Sequence, residues 1–326
     1  MTTTKSFRSF GRRILALAKG KSGQVCLLLL WGLILFALRD AELLAKTVSD
    51  ALSLCVRQVI PVLFPIAAAG GLLTCFAAPP AFLCRPIGRL FRLSDASVGV
   101  LVIALVSGFP IGAMLASRLL EAGRIGREEA SRLAAYTNNA SAAFLTGCVG
   151  AGFFGDRRIG WILWISSTTA ALLTGILMAR RAPHPAPATR EASPLPTPKR
   201  LAESLKATGQ GMLNLTVFVV FFAVFCAFLE KSLMALLPSG ELSALVQAVT
   251  ASFFEITGGL AAVADLSLAL PLRMGISGAA AGFGGLSVFL QCMAAGKAVQ
   301  GTRLFRARLL IGVLSGIFAM LLCFAL

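Results

Sequence analysis

Ser107-Gly108-Phe109-Pro110-Ile111-Gly112 interrupts an apolar run, and thirty residues on Thr137-Asn138-Asn139 interrupts the next. The second half repeats the arrangement: Glu255-Ile256-Thr257-Gly258-Gly259, then Gly282-Phe283-Gly284-Gly285-Leu286-Ser287. From Gly108 to Asn138 is 30 residues, and from Thr257 to Gly285 is 28. Polar and glycine-rich breaks at membrane depth survive only where protein or a wet cavity satisfies the freed backbone groups. Matched breaks in two halves of a chain point to a solute site between inverted repeats.

The composition sets the solvent. The chain is 57% hydrophobic and 13% charged, with a mean hydropathy of +0.84. Soluble domains run near 45–50% apolar and about 25% charged. A polytopic, all-α membrane protein follows, with the lipid bilayer as its surroundings. The net charge of +16 does not imply nucleic acid, because the basic residues sit in the loops between spans. The eight cysteines lie mostly in apolar runs without a CxxC pair, which argues against a disulfide framework or a metal site. His184, the only histidine, lies in a proline-rich stretch. With no GxSxG, HExxH or phosphate-binding loop either, the chain reads as a non-enzyme with no cofactor, save a coupling proton or sodium ion.

Working outward from the breaks gives the organisation. Residues 1–22 form a basic arm and 23–47 a first span with its loop, the span itself at about 24–38. The first repeat covers 48–181: a span at 48–78 kinked at Pro61 and Pro65, a re-entrant hairpin at 97–121, a broken span at 133–154 and a span at 159–179. Each hairpin arm has only about ten residues, too few to cross a bilayer alone. Residues 124–134 read as a charged helix outside the spans. A linker at 182–200 follows; six of the fourteen prolines fall between 182 and 199, a polyproline-like composition. The second repeat, 201–326, runs span 208–230, hairpin 241–271, broken span 274–296 and span 303–326. With the N-terminus cytoplasmic, segments 1–22, 79–96, 118–132, 180–206 and 297–308 face the cytoplasm and hold 23 of the 30 Lys and Arg. Three crossings per repeat invert the second repeat and leave the C-terminus external. The first hairpin then enters from the cytoplasm and the second from outside.

Candidate solute ligands come from both halves. Ser107, Gly108, Phe109, Pro110 and Gly112 can unwind the chain and turn backbone amides toward an anion, or can merely kink and pack a helix. Thr137, Asn138, Asn139 and Ser141 belong in the protein interior, since amides facing lipid are costly. Glu255, an intramembrane carboxylate, suits a coupling ion or the solute; the bland alternative is a cap on the opposite hairpin arm. Thr257 and Gly258 flank it. Gly284 and Gly285 open the second broken span, and Ser287 and Gln291, four apart, share a helical face. The glycines serve equally for close helix packing. Asn214 and Thr216 are weaker polar candidates, and Arg57 and Gln58 read as snorkelling residues near the external end of their span.

With Gly123-Arg-Ile-Gly-Arg-Glu-Glu-Ala, these motifs resemble the nucleoside-recognition "Gate" domain proteins, specifically the YlbJ/SpoVV sporulation integral membrane proteins, over about residues 45–325. The resemblance implies a spore-former's membrane protein acting in dipicolinic acid movement. It also implies a relationship to concentrative nucleoside transporters, with hairpins, broken helices and elevator-like motion, and by analogy a homo-oligomer or a sporulation membrane partner. Phe289 departs from it, standing where a histidine is expected between Ser287 and Gln291. The function expected is secondary transport of a small anionic solute, dipicolinate first. The alternatives are a nucleoside or nucleobase carrier and a non-transporting scaffold or sensor.

Overall fold

In a computed structural model, residues 21–61, 64, 65, 68, 69, 81–185, 198–236 and 240–324 are described. Most of the basic arm, the end of the second span and the centre of the proline-rich linker lie outside them. Among the described residues all regular structure is helical. Four helices are long and apolar enough to cross a membrane, or five if one sharply bent pair counts as a span. The chain is an all-α polytopic membrane protein.

Helix α1 (Lys21–Arg39) and helix α2 (Ala41–Leu54) lead into a π-helical turn at Cys55–Val59. That wide turn immediately precedes Pro61, whose ring would collide with the carbonyl four residues back in a regular helix. After the undescribed stretch come α3 (Ala81–Phe91), α4 (Asp95–Ser107), α5 (Ile111–Glu121) and α6 (Arg127–Tyr136). A π-helical segment (Phe144–Phe153) and α7 (Arg157–Ala179) complete the first half. The second half contains α8 (Pro198–Leu236), α9 (Glu241–Phe254), α10 (Ile256–Ala264), α11 (Leu270–Phe283), α12 (Gly285–Ala294) and α13 (Gly301–Cys323). The order of hairpin, broken span and span thus recurs, and α7 and α13 are both 23 residues long. The halves interlock: α13 packs on α11, α7 and α6, while α8 packs on α2 and α12.

Two stretches differ from the sequence reading. Part of the loop expected at 79–96 is helix α3, which meets α4 at 91°. Its sequence, AFLCRPIGRLF, is amphipathic: Cys84 and Phe91 are buried while Arg85 and Arg89 face out. The charged segment 124–134 is not separate from the broken span but forms its first arm, α6. Glu129 and Arg132 are buried there because they close the α3–α4 corner. Glu129 Oε1 accepts from the Ser94 amide and hydroxyl, both at 2.7 Å. Arg132 donates to the carbonyls of Phe91 at 2.5 Å and Arg92 at 2.6 Å.

Glycine allows a close helix crossing in the core. A Cβ on Gly160 of α7 would sit 2.2 Å from the Leu145 carbonyl oxygen, and one on Gly150 would sit 2.6 Å from the Gly160 nitrogen. At the other end of that contact Asp156 caps α7 by accepting from the Arg158 amide. This backbone hydrogen bond, then the Arg158 side chain, holds the Asp156 carboxyl below the usual carboxylate range.

Candidate solute cavity

Each hairpin tip lies on the broken span of its own half. Gly108 (φ +81°) ends α4, and a Cβ there would meet the Ser141 Cβ at 2.8 Å. A Cβ on Gly112 would meet the Thr137 carbonyl oxygen at 2.6 Å. In the second half, Gly285 (φ +76°) brings α12 to the carbonyl oxygens of Phe254 at 3.2 Å and Ser252 at 3.3 Å from its Cβ position. Small residues at both contacts let backbone meet backbone.

The amides of the first break are committed to protein. Asn138 Oδ1 accepts from the Ala113 amide at 3.0 Å, and its Nδ2 donates to the Ala134 carbonyl at 2.6 Å. Asn138 thereby caps α5 from the break that follows α6, where Pro110 offers no capping side chain. The Asn139 carbonyl accepts from the Phe109 amide at 2.9 Å. Asn139 Nδ2 donates to the Tyr136 carbonyl at 3.2 Å, and the Thr137 and Ser107 hydroxyls bond back to Leu133 and Ile103 within their own helices. Asn138→Ala should lower stability by about 1–3 kcal/mol by orphaning buried partners, read as a lower unfolding midpoint in detergent. Asn138→Asp should cost at least as much, since it keeps the acceptor for Ala113 but replaces the donor that Ala134 uses with a buried, unpaired carboxylate.

Arg308 ties the halves together, and the sequence reading counted it among loop cations. It is 1% exposed on α13. Its Nε donates to the Phe283 carbonyl at 2.8 Å, and its Nη1 donates to the Asn138 carbonyl and, at 3.3 Å, to Asn139 Oδ1. Phe283 precedes the second break and Asn138 lies in the first. One guanidinium therefore satisfies oxygens that both broken helices leave without a helical partner. Gly284 (φ +84°) makes room for it: a Cβ there would sit 2.4 Å from Arg308 Nη2. The signal in the sequence was the spacing Leu304, Arg308, Ile311, Ser315, a buried stripe that includes one cation.

Between the tips lies a cavity of about 550 Å³, within the size range of small-molecule sites. The first half contributes Gly108, Phe109, Ser141, Phe144, Cys148 and Phe153; the second contributes Glu255, Thr257, Val288 and Gln291. Leu215 and Val219 of α8 close one side. Of the residues expected to bind solute, the structure brings Gly108, Phe109, Ser141, Thr257 and Gln291 to this cavity, with Glu255. It sets Ser107, Pro110, Gly112, Thr137, Asn138, Asn139, Gly258, Gly284, Gly285 and Ser287 outside its lining. Gln291 Nε2 donates to Ser287 Oγ at 3.1 Å, while its Oε1 is buried with no partner among the described residues.

Glu255 caps a helix and also faces the cavity. Its extended backbone separates α9 from α10, and its carboxylate accepts from the amides of Thr257 at 3.0 Å and Gly258 at 2.8 Å. It is an N-cap (stabilising by about 1 kcal/mol in general) and it lines the cavity while only 8% exposed. Arg57, in the π-helical turn, is exposed on the same cavity wall, and among the described residues no carboxylate pairs with it. The pattern of the chain gave no sign that this cation faces inward.

No protein-family model matches the chain, and no solved structure does. Among curated proteins it is 29% identical over 277 residues to "Sporulation integral membrane protein YlbJ" of Bacillus subtilis strain 168, across 74% of this chain and 67% of the relative. The chain is an integral membrane protein similar to that sporulation protein, in agreement with the YlbJ-type resemblance its motifs carry.

Proposed function

We propose that this protein is a secondary transporter of a small, planar, anionic solute, dipicolinate, across a membrane of a sporulating cell. The observation that carries the reading is the convergence of both hairpin tips on one cavity. A solute held there touches both halves, so a relative motion of the halves changes its access. The Arg57 guanidinium, with no carboxylate partner among the described residues, favours an anion, and Phe109, Phe144 and Phe153 supply faces for a planar ring. Dipicolinate is the specific candidate through the similarity to a sporulation protein. Glu255 binds the coupling proton or sodium ion, or ties the second hairpin shut. The charge asymmetry of the loops supports a cytoplasmic N-terminus and an external C-terminus. A homo-oligomer or a sporulation membrane partner completes the assembly in this reading.

The test is uptake of labelled dipicolinate into proteoliposomes, with uridine in parallel, with and without a pH gradient. Saturable dipicolinate flux is the expected result. Uridine flux instead would transfer the cavity to a nucleoside or nucleobase, whose ring edges Gln291 and Glu255 also suit. Flux of neither, with folded protein, would favour a scaffold or sensor. Glu255→Gln removes one acceptor from the cap, costing about 1 kcal/mol. It is expected to abolish or uncouple flux although the protein stays folded. Unchanged flux and unchanged pH dependence in that variant would remove the coupling role.

A further inference from the structure

A second cavity, of about 230 Å³, lies beyond the first and shares two lining residues with it, Leu215 and Gln291. Two chain segments, α12 and the first hairpin tip, pass from one cavity to the other in order, and α8 runs along both. Along α8, Gln210 and Asn214 line the second cavity, Leu215 lines both, and beyond it Phe218 still faces the second while Val219 faces the first. Along α12, Val288 lines the first, Gln291 both, and Ala294 and Ala295 the second. At the first hairpin tip, Gly108 and Phe109 line the first cavity, while Pro110, Met114 and Arg118 line the second. Residues 207 to 219 of α8 span about 18 Å at the rise of an α-helix. The two cavities are therefore offset along a membrane span and overlap beside Leu215 and Phe218, since α8 carries the apolar stretch Leu201–Ser232.

The wall between them is thin. Leu215 is 3% exposed and Gln291 5% exposed, and the Phe109–Pro110 peptide completes it. The Gln291 side-chain Oε1, buried and with no partner among the described residues, calls for a donor from water or a solute. The tip is tied to its own broken span by Phe109 N to Asn139 O and by Ala113 N to Asn138 Oδ1. Against α8 it rests on close packing, a Cβ at Gly211 lying 3.4 Å from the Met114 sulfur.

We propose that the second cavity is the opposite vestibule of one solute path, and that Leu215, Gln291 and the Phe109–Pro110 peptide are the gate between the two. The inference rests on the transport reading, yet its test needs no solute. In a variant that retains Cys148 as the only thiol, a thiol in the first cavity reports that side. In a cysteine-free background, Asn214→Cys reports the second. A membrane-impermeant, permanently cationic thiol reagent should label them from opposite faces of the vesicle. Leu215→Ala leaves a void in the wall and should raise labelling of Cys148 from its far face about tenfold. Gln291→Ala, which thins the same wall from another helix, should act in the same direction. Labelling of both positions from one face would overturn the path. Folded Leu215→Ala and Gln291→Ala proteins with unaltered sidedness would overturn the gate. Absent dipicolinate flux with opposite-face labelling would remove the solute and leave the path; intact flux with same-face labelling would remove the path alone.

Discussion

Replacing Arg308 by methionine should destabilise the folded protein by roughly 2–4 kcal/mol and abolish solute movement. Two effects oppose each other at this position. Burying a guanidinium costs several kcal/mol in a dry interior, and the substitution relieves that cost. Against it stand three oxygens, Phe283 O, Asn138 O and Asn139 Oδ1, which would lose their donor. Each buried orphan costs about 1–3 kcal/mol, and at helix breaks no intrahelical amide is available to replace the lost bond. The orphans win. Arg308→Lys should recover only part of the loss, because an ammonium lacks the planar fork that reaches both breaks at once. Arg306, exposed two residues earlier on the same helix, supplies the control: Arg306→Met should leave the unfolding midpoint nearly unchanged. Equal midpoints for the two methionine variants would contradict the tie between the halves.

Gly259→Ala carries the second large expected effect. Its Cβ would fall 2.2 Å from the Ser252 Cα and 2.4 Å from the Ser252 nitrogen. Both are backbone atoms of α9, so no rotamer change relieves the clash and the arms of the second hairpin must separate. Overpacking of this kind costs about 1–3 kcal/mol, occasionally more. The displacement falls at the tip, where Glu255 caps α10 and lines the cavity, so flux should fall with stability. Gly258→Ala is the matched comparison, because the nearest atom to its Cβ position is Glu255 Oε2 at 3.6 Å, an ordinary contact. Thermal unfolding and uptake should separate the two alanines clearly. Indistinguishable behaviour would mean that the hairpin arms are not held at this crossing.

The breaks were legible because their chemistry is out of place in an apolar run. Ser107-Gly108 and Gly284-Gly285 mark the helix ends where the structure has them, at Ser107 and Phe283. The four-residue spacing of Ser287 and Gln291 corresponds to a hydrogen bond. What the chain does not display is which way a polar group is spent. Asn138 and Asn139 read as solute ligands because intramembrane amides need partners. The partners present are backbone groups of neighbouring turns and Arg308. Arg308 and Arg132 sit close to loop cations in the sequence, and only tertiary packing distinguishes a cation that holds two helix breaks from one in solvent. Arg57 is the converse case, a residue expected to snorkel outward that lines the cavity. Helix α3 was hidden by its two arginines and Pro86, which lower its mean apolarity while leaving one face to pack.

The claim on which the account turns is that the solute occupies the space between the hairpin tips. The most direct measurement is the rate at which a maleimide alkylates Cys148, on the wall of that space, in a variant with no other thiol, as dipicolinate is titrated in. The account predicts a saturable slowing by dipicolinate that weakens in Arg57→Gln. A rate indifferent to dipicolinate at every concentration, in protein that remains folded and reactive, would contradict it.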